Sequence, residues 1–458
     1  MNQEPRRLRV LFFNPGLYAL GGMQAWLAAL MPDLEALGWE CWLALPSGRF
    51  NDADGYLANY PWPRVRKLEN PAGTKWGRER AVRAVLSQVQ PDVTVVANLV
   101  TVYETIERLR WTGRATPRLI MCSHTFDPGI FADLERFVGV VDGFVAPNRL
   151  MERAATELAR YPAERVRYAS YGVDLPRLDP PRASSRLEIV FCARLEEEQK
   201  RLLDLPRIAE ALAHRGVEFR LQIVGGGPDE ARLRAAVASS SAATHIELVG
   251  PVAPDRLLSD YFQPGRILLL TSSWENGPIV LWQAAARGLT VVSSRFLGSG
   301  LERALIAEEN CLQFSVGDAD AAALALSRLR DGALRARLAV AGRRTVERRF
   351  SRQVSATAWD AALRDLAARP LRPVMNRPPA IPRSGRLDRI LGLAGADLGR
   401  RLMRRPAKLS GPGDEWPHIS REGAAREAFF AELGRLDQGP LKGALESTSI
   451  QEAAVESP

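Results

Sequence analysis

The strongest constraint on how this chain can fold is an alternation of strand-length apolar runs with helical patterns. The runs fall at Leu8–Phe13, 41–45, 93–97, 118–122 and 143–146, and again at Leu187–Cys192, Phe219–Val224, Ile246–Gly250, 266–270 and Thr290–Ser294. Between them apolar residues recur three and four apart, as in Trp26, Leu27, Leu30, Leu34 and Leu37, closed by Gly38. Parallel strands need long crossovers, so this alternation gives a doubly wound parallel sheet with helices on both faces. At 458 residues and 46% hydrophobic, the chain can fill two such cores. The Pro-rich run 175–183 separates the two sets of runs and reads as a linker, with a boundary near residue 180.

In open parallel sheets, ligands collect at the carboxyl ends of the strands. Several segments there carry chemistry. Residues 271–288, TSSWENGPIVLWQAAARG, follow a buried strand and open a helix, with Pro278 expected in its first turn and Gly288 as its stop. That helix start, reached through Asn276, Gly277, Pro278 and Ile279, aims free N–H groups and a positive dipole end at the cleft, which suits a phosphate. Glu275 lies in the turn and Gln283 in the helix; the bland reading is a strand-turn-helix with a capping acid. Gly21 and Gly22 stand at a strand-to-helix junction, either for close approach of a pyrophosphate or as a plain turn. Arg194 and Lys200 follow a strand end and can reach one diphosphate, or merely begin a solvated charged helix with Glu196, Glu197 and Glu198. His124, in MCSHTFDPG, ends a strand and faces the cleft, beside Asp127, which could touch an acceptor or cap a helix. The Gly225-Gly226-Gly227-Pro228 turn lacks the third glycine of a dinucleotide fingerprint. Asp318 and Asp320 form a DxD at a helix start, where capping is the simpler reading, so no metal site is expected.

Over residues 8–368 and in this order, these segments resemble the GT-B glycosyltransferases, specifically retaining family 4. The resemblance implies an α/β GT-B fold of two Rossmann-like, doubly wound parallel-sheet domains facing a cleft. It implies transfer of a sugar from a nucleoside-diphosphate-sugar donor to an acceptor hydroxyl with retention, without a metal or further cofactor. On that basis His124 and Glu275 lie beside the transferred sugar, and the Gly21 and Gly22 amides face the donor diphosphate, which Arg194 and Lys200 neutralise. Gly226 lies near the donor, and the loop at Val252 cradles the base through its backbone. Gln283 stands where the family has a second glutamate for the ribose, and Tyr171, in VRYASYGVD, replaces an asparagine. Those two departures also suit a non-catalytic sugar-nucleotide or partner-binding protein on a degenerate scaffold. A sugar-nucleotide 2-epimerase shares the fold, but no second pair of active-site carboxylates supports it.

The expected organisation is therefore a first domain over 1–180, a nucleotide-sugar domain over 181–350, a helix at 351–368 crossing back, and a Pro/Arg-rich extension at 369–458. Residues 50–76 form an irregular stretch expected to meet the acceptor. The net charge of +9 is dispersed, and no nucleic-acid module is present, so anionic small ligands or an anionic membrane face are favoured over nucleic acid. Four separated cysteines, no leader-like pattern at the start and no spanning apolar stretch give the expectation of a chain in the cytoplasm or against the inner membrane face. Residues 386–405 carry an apolar stripe, Leu387, Ile390, Leu391, Ala394, Leu398 and Leu402, among arginines. The pattern suits a helix on an anionic membrane, and also a helix docked on the protein or a partner, which three glycines and two aspartates favour. Residues 446–458 read as disordered.

Overall fold

A computed structural model of the chain describes residues 6–15, 22–47, 51–97, 99–180, 184, 186–383, 385–407 and 423–439. The first sheet comprises β1 (Leu8–Phe13), β2 (Trp39–Pro46), β3 (Val65–Leu68), β4 (Val93–Ala97), β5 (Arg118–Cys122), β6 (Gly143–Ala146) and β7 (Val166–Tyr168), ordered 3-2-1-4-5-6-7 and parallel throughout. The second comprises β8 (Leu187–Cys192), β9 (Phe219–Val224), β10 (Ile246–Gly250), β11 (Ile267–Leu270), β12 (Thr290–Ser294) and β13 (Leu312–Phe314), ordered 10-9-8-11-12-13 and again parallel. Interior strands such as β4, VTVVA, and β11, ILLL, are buried at every position, because helices cover both faces.

The strand order reverses between β1 and β4 in one sheet and between β8 and β11 in the other. At such a point the two following crossovers diverge and leave a crevice outside the strand ends. The two crevices face each other across the interdomain cleft: a Cβ placed on Gly22 would lie 3.5 Å from Cδ1 of Ile279.

The chain passes between domains twice, and the two passages are tied together. Val173 N–H donates to the Phe350 carbonyl at 2.8 Å and Arg352 N–H donates to the Val173 carbonyl at 3.1 Å. Ser351 caps the helix Arg352–Ala368, which leaves the second domain and packs on the helix Gly22–Ala36 of the first. Trp359 and Leu366 enter the first domain's core, Trp39 Nε1 donates to Asp360 at 2.7 Å, and Arg352 pairs with Asp33 at 2.7 Å. Each such buried side chain contributes about 1.5–3 kcal/mol, so this helix holds the halves together.

Two local expectations change. The stretch expected to be irregular, described from residue 51 on, contains the helix Ala53–Asn59 and β3, which pairs with β2. Asp52 caps that helix by accepting the N–H of Gly55, and Tyr56 is fully buried. Such short elements hold too few apolar positions to show a period. The basic segment near 386 forms the helix Arg386–Leu402, broken at Gly392 (φ 68°), and it docks by its acidic face rather than by its leucines. Residues 446–458 lie outside the described residues.

Candidate active site

The loops after β8 and β11 flank the crevice of the second domain and bring two predicted residues together. Lys200 Nζ sits 2.5 Å from Glu275 Oε1. Ser272 Oγ donates to the same oxygen at 2.6 Å, so a carboxylate that is only 6% exposed is held from two sides. The backbone is fixed as well: Thr271 Oγ1 donates to the Lys200 carbonyl, Gln199 Nε2 to the Trp274 carbonyl, and Glu275 N–H to the Leu297 carbonyl at 3.0 Å.

One residue on, Asn276 reaches across to the first domain. Its Oδ1 accepts from Asn148 Nδ2 at 2.5 Å and its Nδ2 donates to the Ser123 carbonyl at 3.3 Å. Gly277 follows at φ +111°, a conformation that side chains rarely adopt, and a Cβ there would lie 2.5 Å from the Tyr171 ring. Pro278 is the cap of the helix Ile279–Ala286 and not its first helical residue, one position later than its φ preference implies. Gly288, at φ +78°, ends it.

Ser123 leads to His124, which ends β5's loop against the same turn. His124 Nδ1 is 2.8 Å from the Tyr171 hydroxyl, and its ring lies 4.6 Å from that of Trp26. Among these aromatic rings and Cys122, burial pushes the imidazole down to about 3, so it is neutral at physiological pH. A neutral imidazole there can orient hydroxyls but carries no charge. Asp127 caps the helix Pro128–Arg136 by accepting from Gly129 N–H at 2.7 Å, and Asp318 caps the helix Ala319–Arg328.

The other predicted residues surround this centre. Gly22 begins its helix facing Ile279, whereas Gly21 lies outside the described residues. Arg194, just after β8, is exposed and ion-pairs with Glu196. Gly226 abuts Pro251, with Leu195 N–H donating to the Gly226 carbonyl, which joins the loops after β8, β9 and β10 in one rim that includes Val252. Gln283 lies half-buried in the helix Ile279–Ala286.

A residue that sequence reasoning missed reaches this site from the far end of the chain. The helix Ala424–Gln438 lies across both domains, with Leu433 and Leu436 in the first domain's core, Phe429 on Phe131, and Phe430 on Trp274. Its Asp437 carboxylate accepts the N–H groups of Gly298 at 2.8 Å, Gly300 at 3.2 Å and Leu301 at 2.9 Å. That loop begins at Leu297, whose carbonyl holds Glu275 N–H, and Gly298 packs directly under the Glu275 carbonyl, leaving no room for a side chain. The spacing of Phe429, Phe430, Leu433 and Leu436 is helical and was the available signal.

Two doubly wound parallel-sheet domains, with facing crevices and a hinge crossed twice, define a GT-B protein, the fold of a large class of glycosyltransferases. Residues 186–331, within the second domain, match the family model described as Glycosyl transferases group 1. Over 173 residues the chain is 31% identical to the putative colanic acid biosynthesis glycosyltransferase WcaL of Escherichia coli (strain K12), covering 36% of this chain and 41% of that protein. Over 204 residues it is 29% identical to the amylovoran biosynthesis glycosyltransferase AmsK of Erwinia amylovora, covering 42% and 49%. The chain thus matches less than half the length of either relative. Among solved structures it superposes on the apo form of the lipopolysaccharide outer core galactosyltransferase WaaB, with TM-score 0.61, 18% identity and coverage of 78% of this chain and 99% of that one. It also superposes on Anabaena Alr3699/HepE in complex with UDP, with TM-score 0.62, 14% identity and coverage of 78% and 100%. At these identities the likeness is one of fold.

Proposed function

We propose that this chain is a retaining glycosyltransferase that moves a sugar from a nucleoside diphosphate to an acceptor hydroxyl without a metal. The observation that carries the reading is the Lys200–Glu275 pair at the crevice of the second domain, one residue from the turn that Asn276 ties to the first. The named activities of the curated relatives and the UDP held by one fold neighbour agree with it.

The chemical barrier is departure of a diphosphate from an oxocarbenium-like sugar. Lys200, Arg194, the Gly22 amide and the start of the helix Ile279–Ala286 are fixed positive groups that stabilise the charge as it develops. With the phosphates neutralised by side chains, no metal is needed. Glu275 and the neutral His124 orient sugar hydroxyls, and the acceptor attacks on the leaving-group face, its proton passing to a diphosphate oxygen. On the acceptor side, Gln24 Nε2 and Trp26 Nε1 are buried and have no hydrogen-bond partner among the described residues. Such orphan donors cost about 1–3 kcal/mol each, and acceptor oxygens would satisfy them.

Calorimetric titration with UDP, GDP, ADP and CDP tests the donor site. One nucleotide binds tightly to the parent chain, and Lys200→Ala weakens it at least about tenfold, the loss of one charge-assisted contact. Absence of binding to all four would falsify the donor assignment. A second reading, a binding protein without turnover, draws on Gln283 and on the Tyr171 ring packed against Gly277. Transfer or hydrolysis of any donor excludes it.

A further inference from the structure

The helix Arg386–Leu402 is turned the opposite way from an ordinary docked amphipathic helix. Apart from Ala396, the side chains it buries are polar: Asp388 pairs with Arg400, and Asp397 lies 3.5 Å from Thr74 Oγ1 and 3.3 Å from Arg80 Nε. Asp388 and Asp397 are the only acids between residues 386 and 405, and both are 1% exposed. What faces outward is apolar and cationic. Ile390 is 78% exposed and Leu402 76%, joined by Leu391, Leu398 and Met403, while Arg386, Arg389, Arg401, Arg404 and Arg405 are exposed around them.

From this arrangement we infer that residues 386–405 form a contact surface for an anionic lipid bilayer, the helix lying in the plane of the interface with its leucines among the acyl chains. Several observations select that occupant. Several large apolar side chains exposed along one short segment would normally be covered. Apolar residues flanked by arginines, with every acid withdrawn, complement a surface that is apolar below and negative at the headgroups. A second copy of the chain fits poorly, because a two-fold contact sets this patch against itself and brings arginines onto arginines. No helix among the described residues is long and apolar enough to cross a membrane, so the contact is a surface one.

The placement gives the contact a use. Asp397 and Ala407 fasten the segment to Thr74 and Ala72, in the loop that leaves the carboxyl end of β3. The arginine-bearing end of the helix therefore sits at the cleft-side edge of the first domain, and a bilayer there would lie beside the mouth of the site. The inference is independent of the sugar-transfer reading.

The test is co-sedimentation of the full chain with phosphatidylcholine vesicles and with mixed phosphatidylglycerol–phosphatidylcholine vesicles. The expected result is binding to the mixed vesicles alone, reversed by high salt. Leu398→Glu with Leu402→Glu, and separately Arg389→Glu with Arg404→Glu and Arg405→Glu, each lower the bound fraction roughly tenfold or more. Melting temperature should be unchanged in both, since the altered side chains are exposed. Three results overturn the inference: no binding to either vesicle, binding that neither variant lowers, or a parent dimer in solution that Leu398→Glu with Leu402→Glu dissociates.

Discussion

At the scale of single residues, the site is a set of groups each held by something else. Glu275 is gripped by Lys200 and Ser272, and His124 by Tyr171. Glu275→Gln keeps the shape and removes the charge, and we expect turnover to fall about a hundredfold with nucleotide affinity nearly unchanged; near-parental turnover would remove Glu275 from the chemistry. For His124, burial holds the imidazole down near 3, so the pH profile of turnover should show no limb from it between roughly pH 5 and 8. Tyr171→Phe leaves Nδ1 without its partner. The expected cost is about 1–3 kcal/mol, read from the urea midpoint.

At the scale of elements, the helix Ala424–Gln438 matters beyond its own packing. Asp437 closes three backbone N–H groups of the loop that supports the Glu275 backbone. Removing its carboxylate strands donors near a site that must keep its geometry. Asp437→Ala should cost about 3 kcal/mol of unfolding free energy and lower turnover more than nucleotide affinity, with Asp437→Asn falling between. Equal turnover in Asp437→Ala and the parent would confine this helix to a packing role. Gly277 makes the complementary case: a side chain there meets both a left-handed backbone and the Tyr171 ring. Gly277→Ala should therefore lose about 2 kcal/mol or more and loosen the turn between Asn276 and the helix start, measurable as a lower melting temperature.

At the scale of the whole molecule, burial inside the first domain sets a pH dependence of stability. Asp133 is 3% exposed, and burial pushes its carboxyl up from an ordinary 3.8 to about 7. In that window the folded chain holds a proton that the unfolded chain has released, so stability falls as pH rises from 3.8 to about 7 and then levels. Asp133→Asn should flatten the slope seen in denaturation curves across that range. The same contrast between local and distant causes separates what the sequence determined from what the tertiary structure decided. Strand-length apolar runs, helix starts and their order are local and periodic, so the two parallel sheets and the placement of Glu275, Lys200 and His124 at strand ends could be read directly. Tyr171 was legible only as a departure from a pattern; that it meets His124 and covers Gly277 depends on how the domains close. The stretch 50–76 hid a helix and an edge strand because each is too short to show a period. The helix Arg386–Leu402 had a readable stripe, but which face it buries was settled by Thr74 and Arg80, more than 300 residues earlier. Asp437 is an ordinary helix acid until folding brings it to the amides at 298–301. Periodicity determines elements because it acts within a few residues; pairing between distant loops is decided only when packing places them side by side.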